Sequence, residues 1–216
     1  MKRAAFFDMD RTLVRVNTAR LYARWLARKG EARRRDVARF GLWLARYHLG
    51  VIDAAAVARR LALPFAGRDE APFAAEVERW VRDEVLSQIA PAAVAEVERR
   101  RADGWVPTLL TSSTLYAALP VARAVGIEHV LASRLDVEGG VFTGRIVEPF
   151  CYAHGKVAIA ERWAEEHGVD LGASAFFTDS ISDLAMLERV GAPVAVNPDP
   201  RLRWAARRRG WPTLRW

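Results

Sequence analysis

The second half of the chain alternates short apolar runs with segments of helical spacing, and this alternation constrains the fold more than any other feature. Apolar runs at 106–110, 173–178 and 193–196 are each followed by a helical pattern, and 129–133 predicts a further strand. Strands that alternate with helices pair in parallel, so the pattern predicts an open parallel sheet. Ligands bind such sheets at the carboxyl ends of the strands, which gives weight to the polar residues found there.

The first half of the chain has a different pattern. One apolar run, Ala4–Phe7, is followed by residues 16–102, which hold no strand candidate. Apolar spacing and breaker residues predict helices throughout this stretch, at 18–28, 37–49, 53–63, 71–86 and 91–103. We therefore expect an all-helical block after the first strand of the sheet.

Composition excludes several classes of protein. Apolar residues make up 51% of the 216 residues, enough for a packed core and too many for a disordered chain. The uncharged stretch 104–122 is nearly as long as a membrane span, but its prolines, threonines and serines predict a strand, a turn and a helix start. The N-terminus lacks the hydrophobic region of a secretory signal, and Cys151 is the one cysteine. We expect a cytoplasmic protein with no membrane association.

The chain is basic, with a formal net charge of +7, and its basic residues are nearly all arginine. Arginine triplets occur at 33–35, 99–101 and 207–209. Such clusters can bind nucleic acid or anionic membranes. Here acidic residues are interspersed with the arginines and no aromatic stacking platform accompanies them, which favours solvated helix faces. We expect no nucleic-acid partner.

Acidic side chains stand where two of the predicted strands end. Asp8 and Asp10 follow the first strand, and Asp179 and Asp183 follow a later one. So many carboxylates at one sheet edge would repel each other unless a hard cation lay among them. Mg²⁺ fits this site, because it takes oxygen ligands from few carboxylates, from water and from a substrate phosphate. Lys156 can add a positive charge for the same phosphate.

These parts support phosphoryl transfer. A carboxylate can act as a covalent nucleophile and form an aspartyl-phosphate. A second acid beside it can protonate the leaving alcohol and then activate water. Asp8 and Asp10 supply that pair, and the Thr111 hydroxyl can donate a hydrogen bond to the phosphate.

Four motifs, in order along the chain, resemble those of the haloacid dehalogenase superfamily. They are Asp8-Met9-Asp10-Arg11-Thr12, Thr111 after Leu109-Leu110, Lys156 in His154-Gly155-Lys156-Val157, and Asp179-Ser180-Ile181-Ser182-Asp183. Each motif alone is weak, but the four in this order are highly specific. They extend over most of the chain, and further segments resemble the phosphoserine-phosphatase-like branch (subfamily IB), which has a small helical cap.

The resemblance implies a fold and its division into domains. The fold class is α/β, with a Rossmann-like three-layer α/β/α core around a parallel sheet and an all-helical cap inserted after the first strand. The core would comprise residues 1–14 and 90–216, and the cap residues 15–89.

The resemblance also implies a role for each matching residue. Asp8 would be the nucleophile and a metal ligand, and Asp10 the acid/base, with its backbone carbonyl on the metal. Asp179 would complete the protein ligands of Mg²⁺. The remaining residues would hold phosphate or support the site: Thr111, Lys156 and the backbone N–H of Ser112 for phosphate, and Thr12 and Asp183 in support.

The sequence departs from the family pattern at two positions. Arg11 and Thr178 stand where many members have glycine. Neither replaces a catalytic atom, so the departures bear on substrate identity rather than on activity. The specificity residues are expected in the cap, where Arg20, Arg24 and Arg68 could contact an anion or simply face solvent.

The predicted function is a Mg²⁺-dependent phosphatase acting on a small phosphorylated metabolite, with a phosphoserine-like or histidinol-phosphate-like substrate. Two alternatives stay open on the sequence. One is a phosphotransferase with the same active site, and the other is a non-catalytic, arginine-rich binding protein on the same scaffold. The sequence does not indicate the oligomeric state.

Overall fold

A six-stranded, all-parallel sheet forms the centre of the molecule. A computed structural model describes residues 1–30, 59–60 and 62–216. The sheet order is β3-β2-β1-β6-β7-β8, and an antiparallel hairpin, β4-β5, lies outside it. The strands are β1 Arg3–Phe7, β2 Trp105–Thr114, β3 His129–Ser133, β4 Leu135–Glu138, β5 Val141–Ile146, β6 Ala175–Thr178, β7 Ala192–Val196 and β8 Thr213–Leu214.

Helices cover both faces of this sheet. We number the α-helices of the described residues α1 Thr18–Arg28, α2 Glu70–Trp80, α3 Pro91–Ala102, α4 Leu115–Ala124, α5 His154–His167, α6 Leu184–Arg189 and α7 Pro200–Arg209. The parallel sheet and its helices confirm the predicted α/β, Rossmann-like class.

Side-chain alternation along the central strands divides the core into two layers. In β1, Phe7 belongs to the cluster that includes α3 and α4, whereas Phe6 belongs to the cluster that includes α5, α6 and α7. In β6, Phe177 and Phe176 divide in the same way. Successive residues of a strand point to opposite faces, so each of these apolar pairs supplies both layers. Phe7 stacks on Phe177 with 4.6 Å between ring centroids.

Between β1 and β2 the described residues contain helices and isolated bridges but no strand, as the sequence predicts. The predicted helices at 18–28 and 91–103 are confirmed as α1 and α3. The predicted helix at 37–49, most of the one at 53–63 and the arginine triplet at 33–35 lie outside the described residues. The division into a core and a cap stays a prediction.

Two elements differ from their predicted form. The helix predicted to reach residue 86 ends at Trp80 and continues as a π-helical turn, Val81–Val85, in which the first and last residues are fully buried. Strand β2 runs past its apolar part to Thr114, because the polar residues after Leu110 still pair with β3. The pairing register between β2 and β3 shifts between Thr111 and Thr114. This irregularity lies where β2 ends, next to the predicted site.

No helix within residues 1–30, 59–60 and 62–216 is long and apolar enough to cross a membrane. The uncharged stretch 104–122 forms β2 and most of α4, as its prolines and hydroxyl residues predict.

The turn before β7 depends on the absence of a side chain at Gly191. A Cβ there would overlap the carbonyl oxygen of Gly172. We expect Gly191→Ala to lower the free energy of unfolding by about 1–3 kcal/mol, because backbone atoms on both sides must move. Urea denaturation followed by circular dichroism measures this change.

Gly172→Ala, on the other side of the same contact, is the matched control. Its Cβ would meet only the Asp170 carboxylate, at 3.2 Å, and that side chain can rotate away. Equal loss of stability in both variants would contradict the packing argument.

Candidate active site

Three strand ends bring the predicted polar residues to one edge of the sheet. Phe7 at the end of β1 pairs with Leu109 of β2 on one side and with Phe177 of β6 on the other. The next residue, Asp8, therefore lies level with the end of β6, and its N–H donates to the Phe177 carbonyl at 2.9 Å. Because the sheet is parallel, Asp8, Thr111 and Asp179 all lie at its carboxyl edge.

A buried lysine connects the carboxylates of Asp8 and Asp183. Lys156 lies in the first turn of α5, and its Nζ donates to Asp8 Oδ1 at 2.8 Å and to Asp183 Oδ2 at 2.9 Å. All three residues are buried, with Lys156 only 2% exposed. The Thr178 hydroxyl also donates to Asp183 Oδ2, at 2.6 Å. Thr178, at a position where many family members have glycine, thus fixes the carboxylate that holds the lysine.

The lysine stays charged despite its burial. Desolvation by itself would lower the pKa of Lys156, but Asp183 and Asp8 outweigh it and hold that pKa above its usual range. A fixed positive charge therefore sits at the edge of the sheet where the strands end.

Asp10 is held by the first residues of the helical insertion. Asp10 Oδ1 accepts from the Thr18 hydroxyl at 2.7 Å and from the Thr18 N–H at 3.1 Å, and its Oδ2 accepts from Asn17 Nδ2 at 3.0 Å. Asn17 in turn caps α1 by accepting from the Arg20 N–H. Burial raises the pKa of Asp10 to about 6, although the bonds from Thr18 act in the opposite direction.

The charged forms of Asp8 and Asp179 are destabilised more strongly than that of Asp10. Burial is the main cause that raises the pKa of Asp8 to about 7, where Lys156 lowers it and Asp183 raises it further. Burial likewise raises the pKa of Asp179 to about 8, and the neighbouring charge of Asp8 adds to the effect. These carboxylates are therefore close enough to repel one another in a desolvated site.

The donor set fits a magnesium ion only with additional oxygen ligands. Within the described residues, no group of three or more His, Cys, Asp or Glu side chains has the spacing of a complete metal site. The Asp10 carboxylate is already bound by Asn17 and Thr18. Mg²⁺ usually takes one or two carboxylates and fills its octahedron with water, carbonyl or phosphate oxygens, and that chemistry suits Asp8 and Asp179.

The segment after β2 supplies hydroxyl groups. Thr111 is buried, with 1% of its surface exposed. Its hydroxyl oxygen accepts a hydrogen bond from the Ser113 N–H at 3.1 Å, so the hydroxyl proton remains available to donate. The Ser112 carbonyl accepts from the Ser133 hydroxyl at 2.8 Å, which fixes the peptide before Ser113. Ser113 Oγ lies 3.2 Å from Thr18 Oγ1 and thereby links this segment to α1.

The loop after Asp10 has an unusual backbone at Arg11. Its φ of 56° is left-handed, a conformation that glycine adopts without strain, and this explains physically why glycine suits the position. The Arg11 carbonyl accepts from Asn197 Nδ2 at 3.0 Å. The side chain is exposed, and its charge lowers the pKa of Asp10 and of Asp179.

Trp216 stabilises the same loop. Trp216 Nε1 donates to the Thr12 carbonyl at 2.6 Å, and Asn197 exchanges bonds with the Trp216 backbone. The Thr12 hydroxyl is buried and has no partner within the described residues. The bonds of Asn197 to Arg11 and Trp216 join distant parts of the chain, so local sequence patterns do not indicate them.

The structure thus brings most of the predicted residues together. Asp8, Lys156 and Asp183 are in direct contact, and Asp10 joins them through its charge. The residues that sequence reasoning missed are Asn17 and Thr18. Their signal was an N-cap residue directly before the first helix of the insertion.

Comparisons with known proteins match most of the chain to one family. The family model described as haloacid dehalogenase-like hydrolase matches residues 5–188. The chain is 35% identical over 213 residues to a phosphoserine phosphatase of Mycobacterium tuberculosis, covering 96% of this chain and 69% of that protein. It is 27% identical to the histidinol-phosphatase of Neisseria meningitidis, covering 99% of each chain.

Two solved structures superpose on most of the chain. A protein of Bordetella pertussis superposes with a TM-score of 0.88 and 32% identity, covering 99% of this chain and 98% of that one. A substrate-bound phosphoserine phosphatase superposes with a TM-score of 0.71 over 94% of this chain and 90% of that one, and at 19% identity it shows a common fold.

The raised carboxylate pKa values predict how stability depends on pH in metal-free protein. Asp8, Asp10 and Asp179 have folded-state pKa values of about 7, 6 and 8 against an ordinary value of 3.8. Between about pH 4 and 8 the folded state binds more protons than the unfolded state, so stability must fall as pH rises. Asp179→Asn removes one of these groups and should lose less stability over that range.

Thermal melts from pH 4 to 8 in the presence of EDTA measure this difference. The exposed Asp83→Asn variant, which removes a surface carboxylate, should follow the parent protein. Parallel curves for Asp179→Asn and the parent protein would contradict the electrostatic argument.

Proposed function

Since the chain belongs to the haloacid dehalogenase-like hydrolase family and is a phosphatase, we propose that it hydrolyses a small-molecule phosphate monoester through a phosphoaspartate on Asp8. The observation that carries the proposal is the buried Lys156, which holds the Asp8 carboxylate at 2.8 Å at the carboxyl edge of the sheet. A carboxylate oriented by a fixed cation is suited to attack an anionic phosphate, since the cation offsets the repulsion between them.

Asp8 attacks phosphorus, and the bond from phosphorus to the alcohol oxygen breaks. Asp10 protonates the departing alcohol oxygen. Its pKa of about 6 leaves part of the population protonated near neutral pH, which suits an acid. Asp10 then removes a proton from the water that attacks the phosphoaspartate, so inorganic phosphate leaves and Asp8 is restored.

Three groups bind the phosphoryl oxygens in this proposal. They are the Lys156 ammonium, the Thr111 hydroxyl and the backbone N–H of Ser112. Asp183 acts through the lysine, since it holds Nζ at 2.9 Å and keeps the amine protonated. Thr12 has a supporting role, with its backbone fixed by Trp216.

Magnesium would be held by Asp8, Asp179 and the backbone carbonyl of Asp10, where it would neutralise charge on the phosphoryl oxygens. Family membership and the repulsion among the buried carboxylates support this assignment. The residues 15–89 would form the cap, and α1 would connect it to the site through the bonds of Thr18 to Asp10. Phosphoserine and histidinol phosphate, the substrates named for two relatives, are the reference compounds with which other phosphate monoesters are to be compared.

Magnesium should stabilise the folded protein through Asp179. At pH 8, saturating Mg²⁺ should raise the melting temperature of the parent protein, because a ligand that binds only the folded state stabilises it by mass action. The rise should be much smaller in Asp179→Asn and unchanged in Asp83→Asn. Equal rises in all three proteins would show that the ion binds elsewhere.

Two substitutions separate the nucleophile from the acid/base. With p-nitrophenyl phosphate, Asp8→Asn should release no p-nitrophenolate above the buffer rate. Asp10→Asn should release about one equivalent in a burst, because this leaving group needs no proton. Its later turnover should be slower by about 10²–10⁴-fold, the usual contribution of a general base. Stopped-flow absorbance measures both phases.

Asp83→Asn again serves as the matched control, and thermal melts establish that each variant is folded. Steady phosphate release by folded Asp8→Asn would overturn the assignment of the nucleophile. A burst in Asp8→Asn, with none in Asp10→Asn, would reverse the two roles.

A further inference from the structure

A cavity of about 430 Å³ opens beside the proposed phosphate site. Ser112 and Ser113 line it where β2 ends, and Thr18 lines it at the start of α1. Thr18 also donates to the Asp10 carboxylate at 2.7 Å. The cavity therefore begins at the residue that holds the proposed acid, where the alcohol part of a phosphate monoester would lie. Its volume is within the usual range for small-molecule sites.

Most of the described residues that line the cavity are apolar, and the others are serines, threonines and one arginine. Aromatic and aliphatic side chains come from α1, from the segment before α2, from α2 itself and from the hairpin. They include Ala23, Leu26, Phe65, Phe73, Ile146 and Phe150. Arg134 is the one charged residue among the described lining residues, and it is exposed.

We propose that the alcohol released by this phosphatase is uncharged and largely apolar, with a hydrocarbon portion that fills the cavity. This inference rests on the proposed function and names its substrate class. Burial of the apolar walls against hydrocarbon stabilises the complex. An amino-acid alcohol such as serine carries an ammonium group, and no carboxylate is among the described residues that line the cavity. A buried ammonium without such a partner is strongly disfavoured.

A series of n-alkyl phosphates tests the substrate class. Each methylene that enters the cavity should raise kcat/KM about threefold to fourfold, until the cavity is filled. Phosphoserine should be hydrolysed far more slowly than butyl phosphate, whose carbon chain is of similar size. Release of inorganic phosphate measures both. A value of kcat/KM that is independent of chain length, or highest for phosphoserine, would overturn the inference.

One substitution changes the cavity without touching the catalytic residues. Ala23→Phe places a ring in the cavity from α1 and should shorten the longest chain that still gains rate. Ala95→Phe makes the same change on the exposed side of α3 and should leave the chain-length profile unchanged. A shift in both variants, or in neither, would contradict the placement of the alcohol.

Binding separates this inference from the proposed function. Calorimetric titration with n-alkyl phosphonates, which cannot be hydrolysed, should give a Kd that falls with chain length in the parent protein and less so in Ala23→Phe. If hydrolysis of p-nitrophenyl phosphate depends on Asp8 but the Kd does not change with chain length, the inference is refuted and the proposed function stands. A chain-dependent Kd without any phosphate release would support the apolar cavity and refute the proposed function. If the protein shows no binding of the phosphonates and no hydrolysis, both the inference and the proposed function are refuted.

Discussion

The pairing of Lys156 with Asp8 and Asp183 is the interaction on which the site depends. A buried ammonium is strongly disfavoured unless carboxylates compensate it, and removing one partner of such a pair typically costs about 3–5 kcal/mol. The three residues come from α5, from the end of β1 and from the segment after β6. Their pairing therefore fixes the position of α5 against the sheet as well as the orientation of the proposed nucleophile.

The charges around this lysine do not balance, and the imbalance has a chemical meaning. Asp8, Asp10, Asp179 and Asp183 face one buried cation, and burial together with this excess of carboxylates raises the pKa values of Asp8 and Asp179. A phosphate dianion would be repelled by such a site. Binding of a divalent cation would relieve the repulsion among the carboxylates and the repulsion of the substrate together. Burial and repulsion of the carboxylates together thus account for the predicted fall of stability with pH and for the role of magnesium in the proposed reaction.

The central strands and the acidic positions could be predicted because local patterns determine them. Phe6 and Phe7 are both apolar since a central parallel strand is covered on each face, and Asp8 directly follows them. The left-handed backbone at Arg11 and the partners of Asp10 could not be predicted in this way. They depend on Asn197, Trp216 and Thr18, which approach through the tertiary fold. The cavity is a further case, since its walls come from separate segments whose apolar residues all predict ordinary helix packing.

Thr18 contacts both the proposed acid, Asp10, and the cavity proposed to bind the alcohol. Its hydroxyl and N–H hold the Asp10 carboxylate, its Oγ1 lies 3.2 Å from Ser113 Oγ, and it lines the apolar cavity. These bonds, which act to lower the pKa of Asp10, therefore depend on where α1 lies. An alcohol that fills the cavity would lie against the same residue that holds the proposed acid. In the proposed reaction, α1 would therefore contact both the alcohol in the cavity and the acid that protonates it.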